Sequence, residues 1–204
     1  MRQTNRAVLM SLALILSSAT GADGAEDAVK KQIPVDNSTF RCVSEMTAVR
    51  HFYVDNLLGN LDGTVAIANS TTGGVYPPGS VLQLLPTEVM IKQEPGYNPV
   101  TKDWEFFELD VTPEGSKIRT RGFMEVVNRF GGNCFACHVK AKPEFDFVCE
   151  LDHGCDPIPV TRAMIAALQH TDPRCKNAGP LSPEDTEALK QLQALSAAPP
   201  PGTK

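Results

Sequence analysis

Cys134-Phe135-Ala136-Cys137-His138 sets two thiols three residues apart, with an imidazole directly after the second. Each residue type has a chemical reason. Two thiols at this spacing can add across the two vinyl groups along one edge of a porphyrin. The histidine that follows is then held beneath the ring, where its imidazole can ligate iron. C-x-x-C alone is less specific, because zinc ribbons and redox disulfides share it. His138 narrows the reading to one covalent haem c, with Cys134 and Cys137 as attachment points and His138 as proximal iron ligand.

The N-terminal end suits that chemistry. Arg2 and Arg6 precede an apolar run over 7–16, and small residues follow to Ala22. This is the layout of a secretory signal peptide over 1–22, too short to span a bilayer, and it implies a periplasmic or secreted protein. Cleavage removes two of the 19 basic residues and none of the 24 acidic ones, so the net charge of −5 becomes −7. An acidic chain without a basic run is not built for nucleic acid or an anionic membrane surface. The remaining length suits one domain, expected over 40–178, with a C-terminal helix and flexible tail over 179–204.

If Cys134 and Cys137 carry haem, Cys42, Cys149, Cys155 and Cys175 remain, an even number with three pairings open. Cys149 and Cys155 enclose a short glycine-containing loop, and Cys42 and Cys175 would tie the start of the domain to its end. That pairing is the one expected in an oxidising compartment, since closing a long loop removes denatured-state entropy.

Val43, Met46, Val49, Tyr53 and Leu57 recur at three- and four-residue spacing before Gly59, which predicts an N-terminal amphipathic helix. A short β-type run over 64–68 follows. Further strands are expected over 80–85, 88–93, 103–111 and 118–127, separated by Pro/Gly-rich turns. Beyond the motif, short helices are expected over 161–170 and, capped by Ser182-Pro183-Glu184-Asp185, to about Leu195. The fold class is therefore α+β: an antiparallel β-sheet core, an N-terminal helix and a haem-bearing, disulfide-stabilised C-terminal segment.

A haem motif that follows a sheet two-thirds of the way along resembles the cytochrome c-prime-beta superfamily. These are β-sheet mono-haem cytochromes related to hydroxylamine-oxidising cytochromes. The likeness covers roughly 76–147. It rests on Tyr76-Pro77-Pro78-Gly79-Ser80-Val81, Trp104-Glu105-Phe106-Phe107, and Asn133 to His138 with Asp146-Phe147 beyond. The resemblance implies a five-coordinate iron with an apolar distal pocket lined by aromatics such as Phe106 or Phe107. In the hydroxylamine-oxidising branch a sheet lysine also bonds the porphyrin. Val81-Leu82-Gln83-Leu84 has none, and Lys92 on the adjacent strand is read as a solvated side chain. Met90, Met124, His51, His153 and His170 are chemically able to fill a sixth iron position. Glu105 and Glu108 are the carboxylates nearest the aromatic strand, and are read as solvated.

The expected role is haem binding with electron transfer to a redox partner protein or binding of a small diatomic (NO or CO), rather than catalysis. Whether the chain forms a homodimer is left open. The rival from another class is a disulfide- or zinc-stabilised secreted binding protein without haem. Its metal set would be Cys134, Cys137, Cys149 and Cys155, with His138 and His153 as spare ligands.

Overall fold

The computed structural model describes residues 32–150, 152–176 and 179–197; the expected leader over 1–22 and the tail from 198 lie outside them. Six strands form one antiparallel meander in sequence order: β1 (Thr47–Val49), β2 (Phe52–Asn56), β3 (Ser80–Leu85), β4 (Glu88–Lys92), β5 (Trp104–Thr112) and β6 (Gly115–Gly122). Among the described residues, four α-helices accompany them: α1 (Leu61–Ala68), α2 (Cys134–His138), α3 (Arg162–His170) and α4 (Pro183–Ala197). The α+β class with an antiparallel core is what the sequence implies.

The N-terminal helix is displaced from its expected place. Residues 43–57 form a 3-10 turn and the β1–β2 hairpin, and the helix comes later, at 61–68, where a strand was expected. Phe52, Val54 and Asn56 alternate inward along β2, and the hairpin turns through Arg50 at φ 53°. Alternation of aromatic and β-branched residues thus prevails over a spacing that fits either period. Asn60 caps α1 by accepting the Gly63 amide, and Thr64 and Ala68, four apart, form its buried edge. The remaining strands and both C-terminal helices lie close to where the sequence puts them, except that β6 ends at Gly122 rather than 127.

One face of the sheet carries an unbroken apolar row across four strands, Val54–Leu82–Met90–Phe106, in direct register. The row ends at Gly122 of β6, opposite Phe106. Gly122 has φ 157°, and a Cβ there would lie 2.0 Å from the Glu125 carboxylate. The absence of a side chain lets the chain fold back over this face, burying Val126 and delivering the segment that holds the haem-type motif. Phe40, Val81, Val89, Ile91, Phe107 and Leu109 cover the opposite face. α3 and α4 pack on each other through Met164, Ala167 and Ala188.

Two disulfides close the structure, Cys42–Cys175 and Cys149–Cys155. Both expected pairings are therefore present. They indicate an oxidising, exported environment. No described helix is long and apolar enough to cross a membrane.

Candidate haem-attachment site

The motif occupies a single helical turn. Asn133 caps α2 by accepting the Ala136 amide at 2.8 Å, while its own amide group donates to the Met124 carbonyl at 2.8 Å. Cys134 and Cys137 stand three residues apart, on one side of that turn. Among the described residues these are the two cysteines outside disulfides; Cys134 is half-buried and Cys137 exposed. Burial, helped by the nearby Glu88 and Glu108 carboxylates, pushes the Cys134 thiol up to about 12. A redox-active C-x-x-C pair needs the opposite shift, toward a stable thiolate.

His138 is held as an iron ligand needs to be. Its Nδ1 lies 2.7 Å from the Phe147 carbonyl oxygen, which can only accept, so Nδ1 carries the proton. Burial holds the imidazole below its ordinary pKa and keeps it neutral at pH 7. The lone pair is therefore on Nε2. The ring rests against Phe106, 5.2 Å between centroids.

The Phe147 carbonyl is itself fixed. Asp146 and Phe147 both adopt left-handed backbone conformations, at φ 50° and 66°, which residues with side chains rarely do. The Asp146 carboxylate accepts from the Tyr76 amide at 2.9 Å and from Lys92 Nζ at 2.8 and 2.9 Å. The Asp146 carbonyl accepts from Trp104 Nε1 at 2.6 Å. Lys92 also donates to the Lys102 carbonyl at 2.6 Å. Lys92 is thus not a solvated strand lysine: it is 5% exposed and paired with a carboxylate that is 2% exposed.

The segment leading into the motif is fastened at the other end of the same strands. Asn128 donates to Glu88 at 3.1 Å, and Arg129 donates to Glu108 at 2.7 Å and to the Leu109 carbonyl at 2.6 Å. Glu108 and Glu105, read as solvated, are both buried. A carboxylate on an amphipathic strand reads as an outward residue; here the returning chain covers one and Arg121 with Gln93 satisfies the other. Glu105 and Phe107 lie on the face away from the motif. Residues Met124, Val127, Phe130 and Val139, each about half-exposed, flank α2 and give the motif an apolar margin of the kind a porphyrin face covers.

The other residues weighed as iron ligands have separate environments. Met90 sits in the apolar row and Met124 is exposed. His51 meets Arg162 and Glu150; His153 stacks on Phe145 and bonds the Val148 carbonyl; His170 pairs with Asp185. The zinc set loses two ligands, because the Cys149 and Cys155 sulfurs are bonded to each other. Among the described residues one cluster of three potential metal ligands occurs, Cys42, Asp172 and Cys175. Its sulfurs form a disulfide and its carboxylate accepts from Val43 and Arg174, so it gains thiolate ligands only on reduction.

The donor set therefore fits a covalently held haem: two free thiols on one helical turn, a neutral histidine with its Nε2 lone pair set by a fixed carbonyl, and apolar surface around them. No family model, curated protein or solved structure matches this chain.

Proposed function

We propose that this chain is an exported mono-haem c-type cytochrome of the cytochrome c-prime-beta type, working in the periplasm or outside the cell. The observation that carries the proposal is the sorting of the cysteines: four are paired, and the two that stay free share one turn with a histidine whose tautomer is fixed for metal ligation. Cys134 and Cys137 supply the thioether sulfurs and His138 Nε2 the iron ligand. When bound, the haem supplies one-electron redox chemistry and an iron position open to a diatomic such as NO or CO.

The chain's own residues hold that group in place. The Phe147 carbonyl keeps the proton on Nδ1, and the Lys92–Asp146 pair keeps Phe147 in position. Phe106 touches His138 itself and Phe107 faces the other side of the sheet, so neither is assigned to the distal lining that the resemblance implies. No strong protein ligand is assigned to the sixth position, so ferrous iron is expected to be high-spin.

The test is expression with a haem-maturation system and mass spectrometry of the mature chain. One added haem is expected, lost when Cys134 and Cys137 are both changed to Ser. The ferrous Soret band should shift on adding carbon monoxide. A haem-free mature chain, from cells that mature other c-type cytochromes, refutes the proposal. A ferrous low-spin spectrum unmoved by carbon monoxide leaves the haem but assigns a sixth ligand, Met124 first.

A further inference from the structure

Glu88 and Glu108 are direct register partners on the motif face of β4 and β5. Opposed residues of an antiparallel pair have Cβ atoms about 5 Å apart, close enough for like charges to destabilise each other. Glu108 is fully buried, and its Oε2 is the one buried side-chain polar atom among the described residues without a hydrogen-bond partner. The groups facing the pair are few. Arg129 donates to Glu108 Oε1 and also approaches Asp110 at 3.6 Å; Arg119 of β6 stands 3.8 Å from Glu108 Oε1; the neutral Asn128 amide donates to Glu88. The Cys134 thiol is the remaining titratable neighbour.

A buried acceptor without a donor is costly, and so is a pair of adjacent buried carboxylates. One proton relieves both. Held on Glu88, it turns one member of the pair into a donor and removes the like-charge repulsion. Burial first, and Glu108 second, push the Glu88 carboxyl up to about 7. Both carboxylates act electrostatically on the Cys134 sulfur, one of the two anchors, so charge at the pair is felt at the porphyrin edge.

We propose that Glu88, set against Glu108, is the proton-exchange site of the haem centre: the pair has room for one shared proton, absent while the iron is ferric and taken up when it is reduced. The inference rests on the haem reading. As an external one-electron donor, a redox protein or dithionite in vitro, takes ferric iron to ferrous, Glu88 gains one proton from a buffer acid. The acid's O–H bond breaks as the carboxyl O–H forms, and the charge of the site is unchanged.

The experiment is a spectroelectrochemical titration of the haem-loaded protein between about pH 5.5 and 8.5, spanning the pair's transition. The midpoint potential should fall as pH rises, most steeply near neutrality, with a limiting slope of about 59 mV per unit, the tenfold change in proton activity converted for one electron. Glu88→Gln should abolish the slope and hold the potential at its low-pH value, since Gln mimics the protonated acid. Glu114→Gln, on an exposed turn, should keep it. An infrared titration of the haem-free chain should show a protonated carboxyl that ionises near neutral pH and is missing in Glu88→Gln; if that variant does not fold, the wild-type infrared titration decides. Haem-loaded protein with a flat potential, or a haem-free chain with no such carboxyl, overturns the proton site alone. A chain that never takes up haem overturns the haem reading and the coupling with it.

Discussion

Lys92 with Trp104, and Glu88 with Glu108, are two rungs of one ladder that face the same side of the sheet and grip opposite ends of the same segment. The first rung is saturated. Lys92 Nζ has three acceptor contacts and Trp104 Nε1 has one, all converging on Asp146 or beside it. The second rung sets two carboxylates against each other, with one oxygen left unpaired. Between them lies the Met90–Phe106 rung, under His138. A saturated rung fixes geometry and has nothing left to exchange. An unsaturated one holds its segment less firmly and keeps a site for a proton.

That contrast can be broken at either end, and the larger effect belongs to the saturated rung. Asp146→Ala strands a buried ammonium, and should cost about 3–5 kcal/mol in a urea unfolding midpoint, where removing one member of a buried pair falls. The double variant Lys92→Met with Asp146→Ala should recover much of that loss; if it does not, the pair is not the source.

The unsaturated rung predicts a pH dependence instead. Glu88 ionises near 4.5 when unfolded and near 7 when folded. As pH rises from about 4.5, the unfolded chain releases its proton first, so stability falls until about pH 7 and then levels. The loss is on the order of 3 kcal/mol. Thermal melts across that window should slope in wild type and flatten by this amount in Glu88→Gln. A wild-type curve that gains stability over the same window, with no change in the variant, contradicts the assignment. The smallest effect is Trp104→Phe, which removes the donor to the Asp146 carbonyl and trims a fully buried ring, and should cost about 2 kcal/mol.

The sequence made one of these regions far more legible than the other. The motif, the strands from 80 to 112 and the short Cys149–Cys155 loop follow from local signals: thiol spacing, β-rich runs between Pro/Gly turns, and a glycine turn between two nearby cysteines; Cys42–Cys175 was then the pair that remained. The β1–β2 hairpin did not, because Val49, Tyr53 and their neighbours satisfy both a helical and an alternating period until β3 arrives to pair with them. Lys92 and Glu108 were misread, and Glu88 passed over, for a related reason. Glu88, Lys92 and Glu108 share strand parity with Met90 and Phe106, yet a charge on a strand reads as an outward residue until the chain returning from Gly122 covers it. Parity plus register would have flagged all three. The Asp146-Phe147 conformation has no local signature, since neither residue is glycine.

The two free thiols carry a consequence for how the molecule matures. All six sulfurs meet the same oxidising surroundings, yet only thiolates exchange with disulfides. With its thiol pushed up to about 12, Cys134 stays almost wholly protonated at pH 7, and the protonated thiol does not exchange rapidly. Once the chain has closed, burial together with the carboxylates beside Cys134 acts as a chemical safety catch: it slows oxidation of this sulfur and keeps it a thiol, the form that the proposed thioether bond consumes.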